Sequence, residues 1–84
     1  MSLLRKTPKL ELDNFTHLLQ VNENYLLSCE KERTETIERY RNFKLTFEVM
    51  KTKTSYLQKE IKDTKKSIEK YKAKIAELKN LLNE

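Results

Sequence analysis

Residues 57–82 read LQKEIKDTKKSIEKYKAKIAELKNLL, and their apolar side chains recur every three or four residues. Leu57, Ile61 and Ile68 begin a heptad pattern in which positions a and d are mostly apolar and the flanking positions are rich in lysine. A sustained repeat of 3.5 residues is typical of helices that wind around each other, because the apolar stripe would otherwise drift around a straight helix. This segment therefore predicts a coiled-coil helix.

The same heptad register extends back to Leu12 without a change of phase. Its a positions are Leu12, Leu19, Leu26, Arg33, Tyr40, Phe47, Thr54, Ile61, Ile68, Ile75 and Leu82. Its d positions are Phe15, Asn22, Cys29, Thr36, Phe43, Met50, Leu57, Thr64, Tyr71 and Leu78. Most of these side chains are apolar, so the repeat predicts a partner helix along nearly the whole chain.

Composition supports an all-α fold. The 84 residues include no Gly and one Pro, and 37% of them are charged. We expect a long, largely continuous helix that forms an intermolecular coiled coil, with a helical hairpin or a four-helix bundle as the alternative. In this interpretation residues 1–8 are a short basic arm and helix cap, and residues 9–84 are the coiled-coil helix.

Two local features bear on where helices begin and break. Thr7 and Pro8 suit the N-cap and the first helical position, and Thr7-Pro8 is also a minimal proline-directed phosphorylation site. Residues 46–55, TFEVMKTKTS, have the lowest helix propensity and are the most suitable place for a hairpin turn. Without Gly, Pro or Asn in that stretch, a continuous helix is favoured over a turn.

The apolar face changes width along the chain. Residues 9–50 have a wider face, because Leu18, Val21, Tyr25 and Leu27 lie beside the a and d positions between Phe15 and Cys29. Such a face suits more than one neighbouring helix. Residues 51–84 have a narrow stripe flanked by lysine. The segment Phe15–Cys29 is therefore a candidate docking surface for another helical subunit.

Charge is uneven and affects the direction of pairing. Residues 10–50 are net acidic, whereas residues 51–84 contain ten lysines and are net basic. The charges favour antiparallel self-association, with Thr36 opposite Thr54, Glu32 near Lys53 and Cys29 opposite Ile61. A parallel homodimer, or another helical subunit with acidic flanks, remains the alternative.

The residue inventory argues against several other functions. Cys29 and His17 have no second ligand at a suitable spacing, so we expect no metal, cofactor or catalytic residue. The lysines are dispersed and accompanied by no arginine in residues 51–84, which argues against nucleic-acid binding and against a helix lying on a membrane. We expect no membrane partner, and a location in the cytoplasm, cytoskeleton or nucleus.

The sequence thus predicts a non-enzymatic coiled-coil segment that self-associates and acts as a scaffold or spacer in a cytoskeletal, centrosomal, kinetochore or tethering assembly. A subunit of a hetero-oligomeric helical complex is the second interpretation, and a basic nucleic-acid-binding helix is the third. The predicted oligomer interface is Leu12, Phe15, Leu19, Asn22, Leu26, Cys29, Tyr40, Phe43, Phe47, Met50, Leu57, Ile61, Ile68, Tyr71, Ile75, Leu78 and Leu82.

Overall fold

The structure, a computed structural model, describes residues 7–83 and consists of two helices. Helix α1 spans Pro8–Arg41 and helix α2 spans Phe47–Leu82. They contain 34 and 36 residues, so each is about 51–54 Å long. The helices pack against each other along their length as an antiparallel hairpin. The all-α prediction is confirmed, in the form of the hairpin that was the alternative to a continuous helix.

Helix α1 begins with a complete N-terminal cap. The Thr7 backbone is extended, and its side-chain oxygen accepts a hydrogen bond from the Leu10 backbone N–H at 3.1 Å. Pro8 follows in the first turn, where its missing N–H costs nothing, and Glu11 interacts favourably with the helix dipole. Thr7 and Pro8 therefore occupy the positions predicted for them. The rest of the predicted basic arm, residues 1–6, lies outside the described residues.

Helix α1 ends in a Schellman motif at Asn42. The Phe43 N–H donates to the Tyr40 carbonyl at 3.0 Å, and the Lys44 N–H donates to the Arg39 carbonyl at 2.8 Å. This pair of bonds requires a left-handed residue directly after the cap, a position that glycine usually occupies. Here Phe43 occupies it, with φ of 61°. The chain therefore reverses direction without the glycine that would have revealed the turn in the sequence.

Helix α2 begins immediately after the turn. Thr46 is extended, and its side-chain oxygen accepts a hydrogen bond from the Val49 backbone N–H at 3.3 Å. Leu45 before the cap and Met50 four residues after it are both half-buried, the arrangement of a hydrophobic staple. The turn thus lies at residues 42–46, before most of the segment predicted for it. Residues 47–55 are helical because Thr46 acts as a cap rather than as a weak helix former.

The seam between the helices is formed by the heptad positions. The buried residues of the described chain all occupy a or d positions; they are Cys29, Thr36, Leu57, Thr64, Ile68 and Leu78. The rings of Phe15 and Tyr71 meet across the seam with centroids 5.9 Å apart. The heptad pattern therefore marks a helix–helix contact within one chain.

Polar residues in the seam are mostly satisfied by their own helix. The Thr36 hydroxyl, which is fully buried, donates to the Glu32 carbonyl at 2.7 Å. The Asn22 side-chain amide donates in the same way to the Leu18 carbonyl at 2.8 Å. Bonds to the carbonyl one turn earlier let such residues enter an apolar seam without an unpaired polar atom. Arg33 is different, because its Nε is buried and has no hydrogen-bond partner among the described residues.

The register of the hairpin is symmetric about the turn. Phe15 and Tyr71, which meet across the seam, lie equally far before and after Phe43, and the pair of Tyr40 and Phe47 is centred within one residue of it. The register predicted for an antiparallel dimer, with Thr36 opposite Thr54 and Cys29 opposite Ile61, is centred instead on Leu45. The pairing within the chain therefore differs from that prediction by about one helical turn.

One of the predicted ion pairs is present within the chain. Glu32 and Lys53 lie 3.5 Å apart across the seam. Lys74 approaches Glu77 of its own helix at 3.7 Å.

Candidate interaction surfaces

The predicted oligomer interface is divided by the hairpin fold. Most of its residues are buried or half-buried between α1 and α2. The exceptions lie at the turn and at the C-terminal end of α2, and they are Tyr40, Phe43, Phe47 and Leu82. The seam residues satisfy their apolar contacts inside the chain. That they also join two chains stays a prediction.

The segment Phe15–Cys29 does not present its whole apolar surface to a partner. Phe15 packs on Tyr71, and Cys29 is buried. The side chains that remain exposed are residues beside the a and d positions: Val21 is 48% exposed, Tyr25 43% and Leu27 65%. A docking surface on this segment is therefore narrower than the sequence suggested and lies beside the seam.

A cluster of two tyrosines and one carboxylate joins the helices on one side. The Tyr25 hydroxyl of α1 donates to Glu60 Oε1 of α2 at 2.9 Å, and the Tyr56 hydroxyl donates to the same oxygen at 3.3 Å. These three residues and the Glu32–Lys53 ion pair define one side of the hairpin, which we call the lateral face. The cluster links α1 to α2 through a polar contact at the surface, whereas the seam between the helices is mostly apolar.

The cluster also changes the acidity of both phenols. The hydrogen bond to Glu60 raises the pKa of Tyr25, and the nearby Cys29 thiol and loss of hydration add to the effect. The negative charge of Glu60 is the main cause that raises the pKa of Tyr56, and their hydrogen bond contributes further. Both phenols therefore stay protonated, and able to donate, above the pH at which free tyrosine ionises.

The lateral face also exposes apolar side chains from both helices. Val21 lies one turn before Tyr25 on α1, and Val49 lies two turns before Tyr56 on α2, so the four side chains share this face. Val49 and Tyr56 line a shallow groove with Glu48, Thr52 and Lys53, and they are 49% and 61% exposed. An exposed set of this kind, contributed by both helices, is typical of a protein-interaction surface.

The opposite side of the hairpin is polar and charged. A groove there is lined by Glu30, Arg33, Thr34, Gln58, Ile61, Lys62 and Lys65. Arg33, whose Nε is buried without a hydrogen-bond partner among the described residues, is one of the residues that line this groove. Of the ten lysines in residues 51–84, Lys53 and Lys74 lie within 4.0 Å of a carboxylate among the described residues. The remaining lysines are spread around α2 and do not converge on one site.

The turn forms a third surface, which we call the tip. Phe43 is 96% exposed, and Tyr40 and Phe47 pack edge to face behind it with ring centroids 5.9 Å apart. The exposed cations Arg39, Arg41 and Lys44 surround these rings. Sequence reasoning assigned the three aromatic residues to a helical seam. The run RYRNFK of residues 39–44, with aromatic and basic residues alternating, was the signal for a surface site.

Other predicted positions can be placed briefly. The Thr7 hydroxyl is exposed and serves as the N-cap acceptor, and its phosphorylation stays a prediction. Cys29 is a free, buried thiol. Within residues 7–83 no group of three His, Cys, Asp or Glu side chains is arranged to hold a metal ion. Neither helix of this part of the chain is long and apolar enough to cross a membrane.

Comparison with known proteins provides no assignment. No protein-family model matches the chain, and no curated protein or solved structure is significantly similar to it.

Proposed function

We propose that this chain is a non-enzymatic assembly module: a helical hairpin that pairs with a second copy of itself and acts as a scaffold or spacer. The observation that carries the proposal is the exposed apolar lateral face, to which Val21 and Tyr25 contribute from α1 and Val49 and Tyr56 from α2. In the proposed dimer, two lateral faces pack together and make a four-helix bundle.

The core of the hairpin is small, so burial of further apolar side chains against a second chain would stabilise it. Four apolar side chains are buried in the described part of the chain: Cys29, Leu57, Ile68 and Leu78. Chains slightly shorter than this one, of up to about 70–80 residues, rarely obtain more than about 3–5 kcal/mol from a single core. A second layer of helices would cover side chains that the hairpin leaves in water and would add to the free energy of unfolding.

The charge of the lateral face favours a second copy as the partner. The face contains both signs, because Lys53 pairs with Glu32 and the Glu60 carboxylate accepts from Tyr25. A twofold interface brings each residue near copies of its neighbours, so a face of mixed charge can be complementary to itself. A face of one sign would instead require a partner of the opposite sign.

Sedimentation equilibrium tests this proposal. We expect the wild-type chain to be a dimer at micromolar concentration and the V21D/V49D variant to be a monomer that keeps its helical circular dichroism. The matched control is Leu27→Asp, because Leu27 is 65% exposed and projects away from Tyr25 on α1. This variant should remain dimeric. A wild-type chain that is monomeric at every concentration, or a Leu27→Asp variant that dissociates equally, would contradict the proposal.

A subunit of a hetero-oligomeric helical complex remains the second candidate. The exposed Val21 and Tyr25 within the segment Phe15–Cys29 favour it, since a helix of a different subunit could cover them. In that case the isolated chain would be monomeric and poorly cooperative in thermal unfolding, whereas the proposed homodimer should unfold cooperatively at a temperature that rises with protein concentration.

A further inference from the structure

Phe43 combines two unfavourable properties at the apex of the hairpin. Its φ of 61° is costly for a residue with a bulky side chain, and the ring is 96% exposed to water. Glycine would form the same Schellman motif without either cost. A strained residue that also exposes an aromatic ring is a reason to look for a function at that position.

The surroundings of Phe43 indicate what the ring contacts. Arg39 and Arg41 precede it and Lys44 follows it, and none of the three lies within 4.0 Å of a carboxylate in the described part of the chain. The segment from Arg39 to Phe47 contains no acidic residue, whereas Glu35 and Glu38 line a groove together with Arg39 and Lys44 on one side of the tip. The tip therefore presents an apolar apex with positive charge on both sides of it.

We propose that the tip docks on an anionic membrane surface, with the Phe43 ring inserted between lipid headgroups. The tip is convex, and a bilayer accepts a convex apolar group without a preformed pocket. Aromatic side chains are favoured at the level of the headgroups, and arginine and lysine are attracted to anionic lipids. Arg39, Arg41 and Lys44 supply that attraction, while Tyr40 and Phe47 support the apex from behind.

Docking through the tip differs from the binding of a helix that lies flat on a membrane, which the sequence argues against. The dispersed lysines of α2 do not make a helix that lies on a membrane, and no membrane partner was expected for that reason. The turn instead gathers three cations and three aromatic rings at one end of the hairpin. The docking does not depend on the lateral face, so it holds for one hairpin or for a pair.

Vesicle flotation at low salt tests the inference. We expect the full-length chain to float with phosphatidylcholine vesicles that contain phosphatidylserine, and not with vesicles of phosphatidylcholine alone. Added salt should weaken binding, because the attraction is screened. Phe43→Gly should weaken it roughly tenfold, since it removes the inserted ring while keeping the turn. The R41Q/K44Q variant should bind these vesicles roughly tenfold more weakly, or weaker still.

The control is K62Q/K66Q, which removes the same charge from exposed positions of α2 away from the tip. This variant should bind nearly as well as the wild-type chain. Equal weakening by the two double variants would assign binding to general positive charge and overturn the inference. It would also be overturned by absence of flotation at low salt, by unchanged binding of Phe43→Gly, or by tip-dependent binding of a single-stranded oligonucleotide in place of vesicles.

Discussion

Phe43 determines how the chain turns, although its residue type is unusual for that role. The left-handed conformation lets the Phe43 and Lys44 N–H groups reach back to the last carbonyls of α1. A side chain with a Cβ pays about 1–2 kcal/mol in this conformation. Because the ring is almost fully exposed, packing within the chain does not offset that cost.

Replacing Phe43 with glycine should stabilise the hairpin. Glycine adopts the required φ without strain, so we expect a gain of about 1 kcal/mol and a rise in melting temperature of roughly 4–8 °C. Thermal unfolding followed by circular dichroism at one fixed concentration measures the change.

Asn42→Gly is the matched control for that experiment. The φ of Asn42 is −91°, so glycine gains nothing there and adds freedom to the unfolded chain. This variant should melt at the same temperature as the wild-type chain or lower. A Phe43→Gly variant that melts lower than the wild type would contradict the role assigned to this residue.

The two helices were predictable from the sequence because their signals are local. The spacing of apolar residues such as Leu57, Ile61 and Ile68 predicts a helix and the face that it buries. Thr7 and Pro8 mark the start of α1 by chemistry that depends only on neighbouring residues.

The turn was not predictable in the same way. Phe43 and Phe47 continue the heptad phase across it, so the repeat shows no interruption between Leu12 and Leu82. Glycine, the usual signal, is absent. A seam of a and d residues also looks the same in sequence whether its two helices belong to one chain or to two. The heptad periodicity alone therefore could not predict that the chain turns back on itself.

The lateral face was also only partly visible in the sequence. Tyr25 and Val21 were recognised as apolar residues beside the seam of α1. Their neighbours Tyr56 and Glu60 lie on α2, and which of its residues come close depends on the register of the hairpin. That register follows from the location of the turn. The sequence alone therefore does not predict that Tyr25, Tyr56 and Glu60 lie together.

The contact between the helices through Tyr25 and Glu60 predicts a loss of stability at alkaline pH. The pKa of Tyr25 is raised in the folded chain above its ordinary value of 10.0. Below about pH 10 the phenol is protonated in both states, and the hydrogen bond contributes fully. Above that pH the unfolded chain releases the proton first, so the free energy of unfolding falls as pH rises.

Urea unfolding between about pH 8 and pH 11 tests this linkage. The midpoint should fall less steeply in Tyr25→Phe than in the wild-type chain, with a smaller dependence left from Tyr56. Tyr71→Phe is the control, because its hydroxyl makes no hydrogen bond with the described residues, and it should follow the wild type. Identical slopes for Tyr25→Phe and the wild type would refute the proposed contribution of the Glu60 cluster.

At the scale of the whole molecule, the heptad repeat describes a contact between two helices of one chain. A continuous helix of this length would be a rod of about 110 Å that depends on a second chain for its seam. The hairpin is half as long and forms its seam alone. The surfaces that we propose for other molecules are then the lateral face and the tip, and these two proposals can be tested separately.

The distance between two spin labels tests the hairpin most directly. Labels at Asn14→Cys and Ala73→Cys, both exposed positions, are placed in a chain whose Cys29 is replaced by alanine. The helix axes of a packed pair lie about 8–10 Å apart, so the hairpin predicts a label distance of roughly 15–30 Å. This distance should persist when labelled chains are diluted with unlabelled ones. A continuous helix would instead separate the labels by about 90 Å. That long distance, or a short one that disappears on dilution, would contradict the hairpin.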